Sequence, residues 1–237
     1  MSCRSKESGR WLMPHALAPP LPDPLFRIAL RLRMGLPPFA YDLPACPLCN
    51  KGNGDAWHPF ACAAVRRRMV TTRHDRAMDL VCRYARSCSV IARLEPKDFK
   101  SLVPDAELFF SALTALGDLS GVHSLSPTHL AASARPGQAM ERRATAKHTK
   151  YDRQAAATDS IFYPLVVDCF GTMHEEFSKL LDLIDEEAGL AAFAPTPGRM
   201  TREDFIAVFA SQWQRDNAYI VLQWQRMARM RMYTLRH

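Results

Sequence analysis

The sequence predicts a mixed α/β domain behind a small metal-binding module, and three observations carry that reading. Stretches at 105–112, 115–122 and 160–168 read as strands, and a helix-forming run at 136–157 separates the second from the third. Cys46, Cys49, His58 and Cys62 crowd a turn-rich segment at 44–62 that is too poor in aliphatic residues to fold around a core of its own. Two helical runs, at roughly 172–189 and 202–232, come after the last strand, so the chain ends in helices packed on a strand-containing layer.

Each element has a local justification. Residues 1–25 are rich in Pro and small residues and read as an arm; a short helix at 25–35 succeeds it, stopped by Gly35 and Pro37-Pro38, so that 1–43 forms one segment. The metal module and a basic helix occupy 44–94. Thr71-Thr72 supplies an N-cap, and over 73–92 Ala77, Leu80, Val81, Tyr84, Cys88 and Ile91 share one helical face, with Arg73, Arg76, Arg83 and Arg86 mostly off it. Cys88 on that face reads as a small buried apolar residue. Residues 105–112 and 115–122 form a β-hairpin, Pro136-Gly137 opens the helix, and Gly171 bounds the strand at 160–168; together they define a domain over 95–195. Gly121 falls inside the second hairpin strand, where a glycine weakens pairing. The Pro-Thr-Pro-Gly turn at 195–198 leads into a helical segment, 196–237, whose stripe of Phe205, Val208, Phe209, Trp213, Tyr219 and Trp224 reads as core rather than as a docking face.

Composition narrows the function classes. The net charge of +7 is uneven: the first hundred residues carry +9 and the remainder −2, which suggests a polyanion bound from the front half. The longest uncharged stretch, Leu119 to Ala134, is 16 residues and polar in part, too short and too polar for a membrane-spanning helix. The apolar residues at 11–22 are broken by four prolines, which argues against a secretory signal. Seven cysteines, three of them close together beside a His, fit a metal site in a reducing compartment better than a disulfide framework.

Three constellations can carry chemistry. In Cys46-x2-Cys49-x8-His58-x3-Cys62, two Cys on one knuckle and a His and a Cys one helical turn apart supply four tetrahedral zinc ligands; four protein ligands leave no open position, so the zinc is structural. Arg66, Arg67, Arg68, Arg73, His74 and Arg76 come directly after the last ligand and could contact backbone phosphates of a duplex. Third, a hairpin can bring Asp105, after Pro104, beside Asp118, a carboxylate pair suited to Mg²⁺ or Mn²⁺, while Lys147 and Lys150, with Tyr151 next to them, share a helix face that could point at the pair.

The order of these features resembles the zinc knuckle and restriction-enzyme-like endonuclease found downstream of the reverse transcriptase in non-LTR retrotransposon polyproteins. The local text is similar too: FRIALRLRMGLP (26–37), GDLSGVHSLSPTHLAA (117–132), ERRATAKHTKYD (141–152) and FYPLVVDCFG (162–171). The resemblance implies a restriction-endonuclease-like α/β core of hairpin, helix and strand, with the catalytic lysine moved onto the helix. It assigns Asp105 and Asp118 to a magnesium or manganese ion, Lys147 to catalysis with Lys150 and Tyr151 beside it, and Cys46, Cys49, His58 and Cys62 to zinc. It further implies double-stranded DNA as partner, element RNA as a second one, a nuclear location, and a reverse transcriptase upstream in the intact polyprotein. No Tyr-x-Asp-Asp occurs in the chain, so Met1 is expected to open a truncated copy or a fragment. A second reading, favoured by Val103 before Pro104 and by Gly121, is a nucleic-acid-binding relic that keeps the zinc knuckle and basic helix but no longer cuts.

Overall fold

A computed structural model describes residues 6–39, 45–50, 57–99, 102–124, 126, 129, 135, 137–190 and 199–234. The loop residues Gly52, Asn53 and Gly54, Pro136 and the turn expected at 195–198 lie outside the described residues. In chain order the main elements are α1 (Asp23–Arg33), α2 (Thr71–Ser87), β1 (Ile91–Leu94), β2 (Ala106–Phe109), β3 (Thr114–Val122), α3 (Gln138–Ala157), β4 (Ser160–Asp168), α4 (Glu175–Leu190) and α5 (Arg202–Thr234). The strands form one mixed sheet in the order β1-β2-β3-β4, antiparallel except for the parallel pair β3 and β4. A parallel pair needs a crossover, and α3 provides it, as a helix begun after Gly137.

Alternation along the strands fixes which face each helix covers. In β3, Leu116 and Val122 pack with Met140, Ala144, Tyr151 and Ala155 of α3, joined from β4 by Phe162 and Val166. Ala115 and Leu119, with Leu165 and Val167, face the other way into the main core, built from α2, α4 and the first half of α5. A second core joins Trp11, Ile28, Leu32, Cys46, Cys62 and Val65 to the later half of α5 through Ile220, Val221 and Trp224. The stripe on α5 is therefore core, as its spacing predicts: Phe205, Phe209 and Trp213 are buried in one cluster and Trp224 in the other, while Tyr219 is exposed. Among the described residues no helix is long and apolar enough to cross a membrane.

Two expectations fail. The helix expected over 73–92 stops at Ser87, where the Cys88 N–H closes on the Tyr84 and Ala85 carbonyls and Ser89 turns through left-handed backbone (φ 68°). Residues 91–94 then form a strand: Ile91 pairs with Phe109 and is 65% exposed on the sheet edge instead of lying on a buried helical face. The open edge of β2 captures a β-branched residue that fits the helical period, tertiary pairing overriding the local pattern. Cys88 itself is buried as expected. Nor do Thr71-Thr72 cap α2: the helix runs on from the π-helical turn Arg66–Val70, and the Thr72 hydroxyl donates to the Arg68 carbonyl at 2.6 Å. Gly121 lies inside β3 as expected, paired to Val167.

Candidate metal centre and the adjoining cleft

One ligand atom from each of Cys46, Cys49, His58 and Cys62 lies within 4.8 Å of all the others, so the cluster could hold a zinc ion. The sequence builds it from two tight turns. The Asn50 N–H bonds the Cys46 carbonyl (2.9 Å), with Asn50 itself at φ 53°, which sets both knuckle cysteines on one side. The 3₁₀ turn His58–Phe60 carries the Cys62 N–H onto the His58 carbonyl (2.8 Å), stacking His58 and Cys62 one turn apart. Cys46 Sγ and Cys62 Sγ are 3.7 Å apart, and Cys49 Sγ lies 3.3 Å from His58 Nε2. A tetrahedral ion with zinc bond lengths has sulfur–sulfur edges of about 3.8 Å and sulfur–nitrogen edges of about 3.5 Å, so these two pairs stand close to that spacing. Burial pushes the Cys62 thiol up to about 12, whereas at Cys46 burial is outweighed by N–H groups of Cys49 and Leu48, which hold that thiol below its ordinary value. The cluster rests on α5, where Trp224 meets the His58 ring edge-on at 6.3 Å and stacks on Phe39 at 5.1 Å.

A cleft of about 570 Å³ adjoins this centre, and the mismatch in strand lengths creates it. β3 has nine residues and β2 four, paired from Ala106 opposite Gly117, so among the described residues 118–122 of β3 have no strand partner on that side. Asp105, just before β2, closes the ladder with its side chain: Leu119 N–H donates to its Oδ2 at 2.6 Å. Past that point Leu119, Ser120, Gly121 and Val122 line the cleft, along with Asp118, Lys147, Arg143, Arg66, His74 and Phe60.

The structure brings together three of the five residues expected in the nuclease centre. Lys147 Nζ contacts Asp118 Oδ1, and both are largely buried, 12% and 7% exposed. Burial pulls the Lys147 ammonium down to about 8; Asp105 pulls the other way, and Lys150 adds to the lowering. Asp105 does not line the cleft, but its Oδ2 is bonded to His74 Nε2 (2.9 Å), which does. Lys150 and Tyr151 stand beside Lys147, with Lys147 Nζ 5.8 Å from the Tyr151 ring, and also reach the segment before Asp105. Lys150 Nζ bonds the Tyr151 hydroxyl (2.7 Å), and that buried ring stacks on Phe162 while its hydroxyl reaches the Val103 carbonyl (3.3 Å). Tyr151 fixes the approach to Pro104-Asp105 from the core side of α3, with exposed Lys150 on its hydroxyl.

The basic residues divide in the same way. Arg66 and Arg68 are exposed on a π-helical turn, Arg66–Val70, that joins the last cluster ligand to α2, and Arg66 lines the cleft. The Arg67 side chain lies outside the described residues. Arg73 is enclosed: its guanidinium stacks over Trp213 at 4.4 Å and donates to Asn217 Oδ1 at 2.6 Å, and burial lowers it to about 10. Arg76 is tied to buried Asp216 at 2.8 Å. His74 donates to Asp105, and that bond raises its pKa against the effect of burial.

Sequence reasoning missed Arg143, Trp213 and His123 on the cleft wall. Arg143 stands one turn before Lys147 on α3, and that spacing could have found it. His123 packs against Trp57 and Phe60, at 4.8 and 4.9 Å, joining the end of β3 to the metal centre, a long-range contact without a local signal. The chain matches no protein-family model, and no curated protein matches it. What fold and site define is a mixed α/β protein with a Cys3His cluster able to hold zinc beside a cationic cleft.

Proposed function

We propose that this chain is a metal-dependent DNA endonuclease domain with a restriction-endonuclease-like core and a structural zinc module, derived from a non-LTR retrotransposon reverse transcriptase polyprotein. The observation that carries the reading is the meeting of Asp105, Asp118 and Lys147 where β3 outruns β2, beside a cleft lined by Arg66, Arg73 and Arg143. Asp105 Oδ2 and Asp118 Oδ1 are taken by Leu119, His74 and Lys147, and among the described residues Asp105 Oδ1 and Asp118 Oδ2 carry no hydrogen bond. An all-oxygen donor set of two carboxylates suits Mg²⁺ or Mn²⁺. A divalent cation held by Asp105 and Asp118 would polarise a scissile phosphate and lower the pKa of a bound water. Lys147 holds positive charge against the carboxylates and stands next to that phosphate, and Arg66 and Arg143 fix the DNA backbone without reading bases. In an intact element the nick would free a 3′-OH to prime reverse transcription; target DNA, element RNA, a nuclear location and an upstream reverse transcriptase belong to the same proposal.

One observation favours the second reading, the zinc-bearing relic that binds nucleic acid without cutting: Asp105 is not on the cleft wall, and His74 stands there instead. Plasmid nicking separates the two. The nuclease reading expects the intact chain to convert supercoiled plasmid to open circle with Mg²⁺ or Mn²⁺, and Asp105→Ala to abolish this. Salt-sensitive DNA binding without nicking in either chain favours the relic.

A further inference from the structure

We infer that His74 is a positioning residue of the carboxylate pair and not a phosphate contact, so that the zinc module sets the geometry of the proposed cation site through one hydrogen bond. The inference rests on the nuclease reading and adds to it a residue whose side chain the sequence assigned to DNA.

Asp105 stands just outside β2, where the ladder no longer holds it, and its carboxylate is fixed from two directions. Leu119 N–H holds Oδ2 from β3 at 2.6 Å, and His74 Nε2 holds the same oxygen from α2 at 2.9 Å. An ionised carboxylate only accepts, so His74 Nε2 carries the proton and donates it. With both donors on Oδ2, rotation about the terminal torsion of Asp105, otherwise broad, is suppressed. Oδ1 is then the oxygen left to bind a cation together with Asp118.

The ring is itself held firmly. Its Nδ1 lies 3.3 Å from Asp75 Oδ1, and the preceding residue, Arg73, is pinned by the face of Trp213 and by Asn217. α2 continues the π turn that begins four residues after Cys62, and the Arg66 N–H bonds the Cys62 carbonyl at 2.9 Å. An unbroken helical path of about three turns therefore runs from the last cluster ligand to the histidine. Groups that orient a ligand by hydrogen bonding commonly change metal affinity by about 10–100-fold when they are removed.

The test is Mn²⁺ binding, read by the loss of free-ion electron paramagnetic resonance signal, on the full zinc-loaded chain with zinc content and circular dichroism recorded for every variant. His74→Ala is expected to weaken Mn²⁺ binding by at least about tenfold with zinc content unchanged, and His74→Gln, whose amide nitrogen can occupy the Nε2 position, to recover most of that loss. Rescue by Gln is the result that a merely structural histidine would not give. If His74→Ala binds Mn²⁺ as the intact chain does, or if Gln and Ala weaken it equally, the positioning role is wrong while the nuclease reading stands. If the intact chain shows no saturable Mn²⁺ binding that Asp118→Ala removes, the nuclease reading falls and this inference falls with it.

Discussion

Replacing Gly121 with Ala tests whether the cleft wall is as tightly built as its geometry implies. A Cβ there would stand 2.7 Å from Arg73 Nη2, and 3.2 and 3.3 Å from two ring carbons of Trp213, inside ordinary contact by roughly 0.7 Å at the worst point. A long side chain usually swings away from such an intrusion. Arg73 lacks that freedom, because its guanidinium lies over Trp213 and donates to Asn217. The methyl must therefore displace the indole or break a charged hydrogen bond, an overpacking cost of about 1–3 kcal/mol. Restricting the unfolded chain returns only about 0.4–1 kcal/mol. For a chain of this length a net loss of about 1–2 kcal/mol lowers Tm by about 2–8 °C. Thermal melts followed by near-ultraviolet circular dichroism give the value directly. Repeating them in an Arg73→Ala background, where the nearest obstacle is gone and only the Trp213 contacts remain, should shrink the Gly121→Ala effect by more than about 0.5 kcal/mol. An Ala variant as stable as the parent, or more so, would refute the argument that the glycine exists to admit the arginine.

Three further outcomes are expected. Cys49→Ser should lower zinc content measured by elemental analysis and destabilise the core around Trp224, because free energy of binding at such a site is folding free energy; unchanged zinc content would move the site elsewhere. Asp118→Asn should cost about 3 kcal/mol in urea melts by leaving the Lys147 ammonium buried without its partner, and adding Lys147→Met should recover most of it. The third concerns His148, which bonds Asp152 on its own helix and Glu176 on α4; burial opposes its charged form, but the two carboxylates raise its pKa overall. A raised folded pKa means stabilisation that is complete below the unfolded value of about 6.5 and is lost as pH rises through the folded value. The Tm difference between the parent and Glu176→Gln should accordingly narrow as pH rises from about 6 to about 8.5, and a difference that widens would contradict it.

Local signals are the ones the sequence makes legible. The β4 boundaries, 160 and 168, come from a run of β-branched and aromatic residues ended by a turn, and α3 comes from its Ala, Arg and Lys content. The four cluster residues are legible because metal spacing is itself a local code. The pairing of Asp118 with Lys147 is anticipated by hairpin register and helical spacing, which both point to it. Residues 88–94 mislead because Cys88 and Ile91 extend a helical period by chance, and only the free edge of β2 makes the second of them a strand. Arg73 carries no sign of burial: a cation beside two others reads as solvated until Trp213 and Asn217, some 140 residues away, enclose it. Helical spacing sets Lys150 and Tyr151 beside Lys147, as expected, but gives no sign that Phe162, which draws the tyrosine ring into the core, belongs to another element.

The double duty of α5 has a mechanical consequence. At 33 residues it is a rod of about 50 Å. One end is embedded with Phe205 and Phe209 against the sheet, and the other with Trp224 against the Cys3His cluster. Between them, Trp213 Nε1 grips the Asp168 carbonyl, and Gln214 and Asn217 both hold the Cys169 carbonyl at the exit of β4. A rod clamped at both ends and at its middle does not let either end melt alone without levering the other, so the two cores share one breaking point. A cut in the 88–90 turn between α2 and β1 would sever the chain yet leave the pieces riveted along this helix, whereas removing its last three turns, Trp224 included, would loosen the cluster's footing from beneath.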